Sequence, residues 1–579
     1  MAQIWPRFAS LQASNHNPLT ESYSALFFQD AKSPSDSGRG WDGNGKSRDG
    51  PPYTPLSTAV GAQWLVAAIP GYCARSQPSR LEQTRHDFIS SFPSVAHGRF
   101  CMMGNPPKHL SLRHWTSVFS VARYRYLAAG FVITTFLLFG FYSQGTSVRV
   151  IHDDTPVDSP DYWTWETTSS FQDKNDDADH TSNDEMCDNF PTDLLPRIQV
   201  TLKTGATEPR DRVDTHLATV TRCISNLLVV SDRATKLHGH HVHDVLADLP
   251  LSARNQIPDF EAYNELQKTD GKVEGAMGWK LDRFKFLPMV EYAKKMNPDA
   301  EWYVFLETDT YMAWDNLFRF LDQFDPAFPL YMGSPSPGAG LEDGGRVWFA
   351  YGGAGFVLSR GAMNKLTDRK ADLQGLFTQP SISQEYMMHA AGDCCGDSAL
   401  GFALYNKGVL LSGLWPMFNA HALHGIPFDE KHWCQPAISM HKTSLADMKG
   451  LAKWESQRNR TYPMLYRELA QYLKLGTLPE KSEWDNGDWG AHEAPPDSPV
   501  HTSLEACRTG CHESDSCMSY TFDIVKRCIF VPSMRLGGPK KVPGTKLIAG
   551  WDNAKFQAWQ ASHQCENPMW VKPSITRIF

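Results

Sequence analysis

Short apolar runs that end at acidic or hydroxyl side chains are the most regular pattern in the middle of the chain. The run Trp302 to Leu306 is aromatic and β-branched and predicts a buried central strand, which ends at Glu307, Thr308 and Asp309. In open α/β sheets, ligands bind beyond the carboxyl ends of the strands. Two carboxylates held there suit a hard divalent cation bound to phosphate oxygens. A strand end followed by a turn with an Asp side chain is the alternative interpretation.

Two earlier segments predict the beginning of a parallel sheet. Arg197 to Lys203 alternates like a half-buried strand, a polar segment with helical potential follows, and Asn226 to Val230 is a second apolar strand. Strand, helix, strand is the unit from which parallel α/β sheets are built. Asp232, at the end of the second strand, Thr201, in the first, and Thr308, after the central strand, are candidate nucleotide contacts. Capping the following turn is the alternative role of Asp232.

A helical pattern precedes the central strand. Trp279 to Met296 has apolar residues at helical spacing and predicts one helix. Its basic side chains, Lys280, Arg283 and Lys285, are interpreted as a solvated face, and one of them is a candidate phosphate contact.

A glycine-rich segment follows the central strand. Phe349 to Ser359 reads FAYGGAGFVLS, in which Gly353, Ala354 and Gly355 allow a ligand to approach the backbone closely. The spacing is not that of a G-x-G-x-x-G phosphate loop, and a tight turn between strand and helix is the alternative.

Two polar positions further along the chain are candidates for chemistry. Asp397 lies near the predicted start of a helix over Ala399 to Tyr405, where it either caps the helix or acts as a general base. Ala437 to His441 predicts a short strand that ends in a histidine. An isolated histidine is more often structural, but downstream of an acidic motif His441 is a candidate third metal ligand.

The N-terminal part of the chain has the pattern of a membrane anchor. Residues 1–122 are rich in Ser, Pro, Gly and Arg and predict a disordered cytoplasmic leader, unless they include misassigned upstream sequence. Residues 123–143 contain an uncharged run, Tyr126 to Tyr142, which predicts a single transmembrane helix, with a buried core helix as the alternative. Arg113, Arg123 and Arg125 precede it and an acidic tract follows, which predicts a type II orientation. Its shortness favours a Golgi or ER membrane.

Composition adds to this topology. Residues 144–186 are acidic and predict a solvated stem, and ten of the 12 cysteines follow the anchor, which favours disulfides in a lumenal segment. No C-x-x-C pair supports a zinc site. Asn459 begins a glycosylation sequon. The net charge of −8 includes no basic excess, so nucleic acid is not an expected partner.

The last hundred residues form a separate pattern. Residues 476–500 are polar and predict a linker, and residues 501–579 contain four closely spaced cysteines that indicate a small disulfide-stapled domain. These cysteines are Cys507, Cys511, Cys517 and Cys528.

The order of these motifs resembles glycosyltransferase family 31. Anchor, stem, a strand followed by E-T-D-T-Y, GGAGFVLS, G-D-S-A-L-G and a strand ending in histidine are similar to its Fringe and core-1 β1,3-galactosyltransferase branch, and more closely to fungal members. The resemblance covers roughly 197–442. It implies a GT-A fold over 187–475, an α/β domain with a Rossmann-like, mostly parallel sheet. It also implies a manganese-dependent, inverting transfer from a UDP-sugar, usually forming a β1,3 linkage in the Golgi lumen.

Site residues follow from the resemblance position by position. Asp309 matches the last, metal-binding Asp of the family's D-D-D motif, His441 looks like its metal-binding histidine, and Asp397 matches its presumed base. The resemblance places 353–355 along the donor and acceptor site.

The chain departs from the family pattern at three positions. Glu307 and Thr308 replace the first two Asp residues, and Gly396 replaces the acidic residue before Asp397. Asp309 with a histidine, a diphosphate and waters still completes an octahedral site in this interpretation.

The cysteine pattern of the last domain, C-x3-C-x5-C-M-S-Y…C-I-F, resembles the PAN/apple domain. That resemblance implies a small α+β fold with Cys511–Cys517 and Cys507–Cys528 as its disulfides. It also implies a role in binding protein or carbohydrate.

The resulting prediction is a membrane-anchored, lumenal glycosyltransferase. Asp309, His441 and Glu307 hold a divalent ion, a UDP-sugar is the donor, and Asp397 deprotonates a glycan or glycoprotein acceptor. The rival from another class is an inactive carbohydrate- or protein-binding scaffold of the same fold, because the acidic motif is weakened. A nucleotide-sugar hydrolase is the third possibility, disfavoured because an anchor and a PAN-like module suit a macromolecular acceptor.

Overall fold

A computed structural model describes residues 159–171, 186–269, 275–487, 490–525 and 527–578. The predicted leader (1–122), the predicted anchor (123–143) and much of the predicted stem (144–186) lie outside the described residues. Within the described ranges, no helix combines the length and the apolar character that crossing a bilayer requires.

The strands of the described ranges have at most six residues. They are β1 (Tyr162–Trp163), β2 (Ile198–Lys203), β3 (Leu228–Ser231), β4 (Thr235–Leu237), β5 (His240–Asp244), β6 (Trp302–Glu307), β7 (Tyr311–Met312), β8 (Tyr331–Gly333), β9 (Pro335–Gly340), β10 (Arg346–Ala350), β11 (Phe356–Ser359), β12 (Leu411–Gly413), β13 (Phe418–Asn419), β14 (Ser439–Met440), β15 (Lys481–Ser482), β16 (Trp484–Asp485), β17 (His492–Glu493), β18 (Ser519–Asp523), β19 (Arg527–Val531), β20 (Gly538–Pro539), β21 (Leu547–Trp551) and β22 (Trp570–Val571).

Helices alternate with these strands. They are α1 (Arg210–Ala218), α2 (Leu251–Gln256), α3 (Phe260–Lys268), α4 (Gly275–Asp282), α5 (Phe286–Met296), α6 (Trp314–Leu321), α7 (Arg360–Thr367), α8 (Ile382–Glu385), α9 (Met387–Gly392), α10 (Gly396–Asn406), α11 (Leu445–Gln457), α12 (Tyr466–Tyr472), α13 (Leu504–Glu513) and α14 (Asn553–Ser562), with short 3-10 helices at Thr192–Arg197, Gly352–Ala354, Leu423–Gly425 and Pro499–His501.

An eight-stranded sheet in the order β12-β8-β11-β6-β2-β3-β5-β4 organises the fold. Strands β6, β2, β3 and β5 run parallel, as predicted from the strand-helix-strand pattern, while β11 inserts antiparallel between β6 and β8. The mixed α/β class with a largely parallel sheet is therefore confirmed. In the register of β2 and β6, Lys203 pairs with Glu307, so both strands end at the same edge.

The core fills both faces of this sheet. Along β6, Val304 and Leu306 enter one apolar cluster and Tyr303 and Phe305 enter the other, because successive side chains of a strand point to opposite faces. A strand buried on both sides has a continuous apolar run rather than an alternating one, which is the pattern that the sequence shows here.

The predicted helix Trp279 to Met296 is two helices in the structure, α4 and α5. The chain turns between them, and Lys285 at this turn is only 2% exposed. Its Nζ donates to the Thr204 carbonyl oxygen at 3.0 Å and lies 3.4 Å from Asp232 Oδ2. The interpretation of Lys285 as part of a solvated face is wrong, because two acceptors at the strand ends compensate the burial of its charge.

The C-terminal part contains a five-stranded sheet, β15-β21-β18-β19-β17, with α13 packed against it. The predicted disulfides Cys507–Cys528 and Cys511–Cys517 are both present. Strands β15 and β17 of this sheet lie within 476–500, the range predicted as a linker. They are too short to give an alternating pattern in the sequence, and pairing with the longer strands β21 and β19 defines them.

This C-terminal part and the predicted stem both join the main core. Cys434–Cys565 links the C-terminal part covalently to the main domain. Strand β22 pairs with β1, which lies inside the range 144–186 predicted as a solvated stem. Trp570 of β22 is fully buried, and its indole nitrogen donates to the Trp165 carbonyl oxygen at 3.1 Å. The prediction of a solvated stem depended on the acidic residues of 144–186. The aromatic side chains of the same range determine how its described part packs.

We expect Trp570→Ala to lower the free energy of unfolding by about 3–5 kcal/mol, because it leaves a large cavity where stem, main domain and C-terminal segment meet. Chemical denaturation followed by circular dichroism measures the change. The matched control is Trp279→Ala, since that indole is 62% exposed and a surface change of this kind stays within about 0.5 kcal/mol. Equal effects of the two substitutions would contradict the assignment of Trp570 to the core.

Candidate functional site

The candidate site lies at the carboxyl ends of β6 and β2. Glu307 ends β6, Asp309 follows in the turn to β7, and β14 pairs with β7 so that His441, the next residue, lies beside Asp309. One ligand atom from each of the three side chains falls within 4.8 Å of the others, and His441 Nε2 is 3.5 Å from Asp309 Oδ1. The structure thus brings together the three residues predicted as metal ligands.

The glycine-rich segment forms the floor beneath His441. A Cβ added to Gly353 would lie 2.4 Å from His441 Nε2, so a side chain at this position and the observed histidine are mutually exclusive. The Gly353 carbonyl accepts from Thr310 Oγ1 at 2.7 Å, and the Ala354 carbonyl accepts from Ser439 Oγ at 2.6 Å. Gly355 has φ +73°, which favours glycine. This segment therefore fixes the position of the histidine.

Lys203, the last residue of β2, is a site residue that the sequence patterns did not single out. Its Nζ lies 2.6 Å from Asp282 and 3.1 Å from Glu307. Burial by itself lowers the pKa of Lys203, but the two carboxylates outweigh burial and the pKa is raised, so the lysine is positively charged. For Glu307, burial outweighs the attraction of Lys203 and raises the pKa to about 7.

The donor set fits a divalent cation. Asp309 supplies a carboxylate, and burial lowers the pKa of His441 although Asp309 opposes this, so the imidazole is neutral and able to ligate. Oxygen and imidazole ligands together suit Mn²⁺ or a similar ion. Glu307 lies 3.1 Å from the Lys203 ammonium, whereas the cation beside Asp309, Arg212, is at a longer distance of 3.7 Å, so Asp309 and His441 are the better ligands of the three.

Asp397 lies in the first turn of α10 and contacts the glycine segment. Its Oδ2 accepts from the Gly352 backbone nitrogen at 2.7 Å, and its Oδ1 accepts from the Ser398 nitrogen at 2.9 Å. Burial raises the pKa of Asp397 to about 6, and these two N–H groups act against that rise. Asp397 is thus not the helix N-cap, because Cys395 occupies that position.

The predicted nucleotide contacts lie in two different places. Asp232 follows β3, and its Oδ1 accepts from the Ala206 nitrogen at 2.8 Å, so it faces the loop after β2. Thr308 donates its hydroxyl to Glu208 in the same region. Thr201 lies inside β2 with a fully buried side chain, before the strand reaches the edge.

Two charged residues near Asp309 were also missed by the sequence patterns. The Arg212 guanidinium on α1 lies 3.7 Å from Asp309 Oδ2 and 3.6 Å from Glu208 Oε1. Arg212 and Glu208 both come from a polar segment without a strong pattern. Only the tertiary structure brings this segment to the strand ends. The segment between the strands contributed no signal beyond its helical potential.

Comparison with known proteins agrees with this geometry. Residues 266–444 match the family model described as Fringe-like. The β-1,3-N-acetylglucosaminyltransferase lunatic fringe of Xenopus laevis is 31% identical over 229 residues, 36% of this chain and 58% of that protein. The β-1,3-N-acetylglucosaminyltransferase radical fringe of Gallus gallus is 35% identical over 89 residues, 14% of this chain and 24% of that protein.

A third relative, the β-1,3-N-acetylglucosaminyltransferase radical fringe of Xenopus laevis, is 27% identical over 168 residues, 26% of this chain and 49% of that protein. The matches thus span between 24% and 58% of these relatives' lengths. The family match includes Glu307, Asp309, Asp397 and His441, the residues that the structure gathers at one edge of the sheet. The central part of this chain, residues 266–444, is therefore similar to the Fringe-like glycosyltransferases.

Proposed function

We propose that the protein is a membrane-anchored, inverting glycosyltransferase with a GT-A catalytic domain. It moves a hexose or an N-acetylhexosamine from a UDP-sugar to an acceptor glycan, forming a β1,3 linkage. The observation that supports this most directly is that Asp397 and the Asp309–His441 pair meet at consecutive glycines, since Asp397 accepts from the Gly352 N–H and a Cβ on Gly353 would contact His441. Two glycines without side chains leave space for a sugar beside a base and a diphosphate site.

Asp309 and His441, with Glu307 beside them, hold Mn²⁺ or another divalent ion in this proposal. When bound, the ion neutralises the charge that develops on the departing UDP. Arg212, whose side chain is 43% exposed, places a further positive charge beside Asp309. It supplements that neutralisation from the protein side.

Asp397 is the general base. Its carboxylate takes the proton from the acceptor hydroxyl as that oxygen forms a bond to the anomeric carbon and the bond from this carbon to UDP breaks on the opposite face. Attack from the opposite face inverts the configuration. The Gly352 and Ser398 N–H groups hold the carboxylate in place, so little reorganisation accompanies the proton transfer.

The nucleotide lies on the β2 and β3 side of the site. Asp232 and Thr308 are its proposed contacts, because both lie at strand ends near the loop 204–208. Thr201, buried inside β2, supports the nucleotide site by packing beneath this edge. Each buried charge there has an opposite partner, which agrees with a preformed pocket for a charged ligand.

The setting of the reaction follows from parts of the chain around the domain. Type II anchoring in the Golgi or ER membrane places the catalytic part in the lumen, where disulfides such as Cys187–Cys223 and Cys434–Cys565 form. Asn459 is exposed, as glycosylation requires. The PAN-like C-terminal part binds the protein or carbohydrate portion of the acceptor.

The direct test uses the lumenal part from residue 159, purified and incubated with a panel of UDP-sugars. UDP release that requires Mn²⁺ and increases with an acceptor glycan supports transfer. UDP release that no acceptor stimulates would indicate a hydrolase. Binding of UDP or glycan without any turnover would indicate the inactive scaffold.

We expect Asp397→Asn to lower kcat by about 10²- to 10⁴-fold with little change in affinity for the donor, because only proton removal is lost. In the unmodified enzyme, activity rises with pH up to about 6 and then levels, since burial raises the pKa of Asp397 to about 6 and the ionised form is active. The matched control is Asp322→Asn, an exposed aspartate at the end of α6. Loss of the donor affinity in Asp397→Asn would contradict the role of a base.

We expect Gly353→Ala to weaken Mn²⁺ binding at least tenfold, because the new methyl group would lie 2.4 Å from His441 Nε2 and displace the imidazole. Isothermal titration with Mn²⁺ measures the affinity in the presence of UDP. Gly340→Ala is the control, since a Cβ there meets no atom within 4 Å. Unchanged Mn²⁺ affinity in Gly353→Ala would exclude His441 as a ligand.

A further inference from the structure

The segment that leads into the helix of Asp397 contains two adjacent, bonded cysteines. Cys394 and Cys395 form a disulfide with each other, between the end of α9 at Gly392 and the start of α10 at Gly396. Cys394 is exposed and Cys395 is half-buried. Packing therefore contributes little to fixing this connection, although the next helical turn contains the proposed base.

Polar contacts hold one end of the connection. Asp393 Oδ1 accepts from the Cys395 nitrogen at 3.3 Å, and its Oδ2 accepts from Ser398 Oγ at 2.8 Å. The Asp393 carbonyl accepts from Arg283 Nη1 at 2.7 Å. These bonds fix Asp393 and the first helical turn, and the peptide between the two cysteines is held by one of them, a long bond of 3.3 Å from its N–H, and by the covalent ring.

The start of α10 has no room to absorb a change in that peptide. A Cβ on Gly396 would lie 2.3 Å from Phe286 Cδ2 and 2.5 Å from the Arg283 carbonyl oxygen, so the backbone there is pressed against α5. Cys395, whose carbonyl accepts the first helical bond from Ala399 at 3.1 Å, adjoins this contact. A rotation at Cys395 is therefore transmitted along the backbone towards Asp397.

We propose that the Cys394–Cys395 disulfide is a positioning element for Asp397. The eight-membered ring limits the rotations of the connection and thereby holds the Asp397 carboxylate against the Gly352 N–H across the cleft. This role rests on the proposed function of Asp397 as base. A general base displaced by about an ångström from its productive geometry loses much of its effect, so a covalent restraint beside it acts on rate.

The inference predicts how the enzyme changes when the ring is removed. In Cys394→Ser/Cys395→Ser, kcat for transfer falls roughly 10- to 100-fold, while KM for the donor and the Mn²⁺ affinity stay unchanged. If the disulfide had a structural role alone, its removal would lower stability, lower kcat and raise KM for the donor together. Cys187→Ser/Cys223→Ser is the matched control, because it removes a disulfide of the same domain that is not next to Asp397.

The pH profile adds a second readout. Burial raises the pKa of the Asp397 carboxyl in the intact protein, with the Gly352 and Ser398 N–H groups and Lys203 acting against the rise and Asp282 adding to it. A relaxed first turn exposes this carboxyl to water, so its pKa decreases towards the ordinary value. The rising limb of the activity profile therefore moves below pH 6 in the double serine variant, and an unmoved limb would contradict the proposal.

Two measurements do not depend on activity and separate this inference from the proposed function. Peptide mapping after alkylation without reductant is expected to find the peptide with both cysteines unalkylated and lighter by two hydrogen atoms than the dithiol form. Alkylation of both cysteines in the native protein would overturn the inference. Hydrogen exchange of the Gly352 and Ser398 amides, which donate to Asp397, is expected to accelerate in the double serine variant and not in the control.

The outcomes remain distinct if the protein proves to have no transferase activity. Faster exchange at Gly352 with a mapped disulfide would then support the positioning of Asp397 while refuting the proposed reaction. Unchanged exchange would refute the positioning role, whatever the activity.

Discussion

The charge balance around Lys203 is the interaction on which the site depends. Glu307 and Asp282 each direct a carboxylate to the edge of the sheet, and Asp309 adds a third close by. Three acidic groups in a partly buried position repel one another, and an unpaired buried charge is costly. Lys203, at the end of β2, is 6% exposed and neutralises two of these groups, Asp282 and Glu307. Asp309 therefore retains the capacity to accept a cation together with His441.

The same edge of the sheet connects the two halves of the chemistry. Lys203 also influences Asp397, whose pKa burial raises, and Tyr351 contacts His441 ring to ring at 5.2 Å. Asp397 reaches the glycine segment from α10, and His441 reaches it from the end of β14, the strand paired with β7. A side chain at Gly353 would occupy the position of the histidine ring. Position 353 must therefore be a glycine if Asp397 and His441 are to lie at one site.

The C-terminal part is integrated rather than tethered. Its strand β22 pairs with β1, its Cys565 bonds to Cys434, and Trp551 and Phe556 belong to the apolar cluster that also contains Val304 of the central strand. A domain attached in this way keeps a fixed orientation with respect to the sheet edge where Asp309 and His441 lie, which a flexible linker does not provide.

The sequence by itself determined the elements in which local pattern and burial agree. The central strand with its acidic end, the strand that precedes His441 and the glycine segment follow from apolar runs and residue types, because a strand buried on both faces has a continuous apolar sequence. Both disulfides of the PAN-like part followed from its resemblance. Tertiary structure alone decided the roles of Lys203, Arg212 and Lys285, and the docking of the stem and of β15 and β17. A charged residue looks solvated in any local pattern, and only packing reveals that an opposite charge from a distant segment compensates its burial.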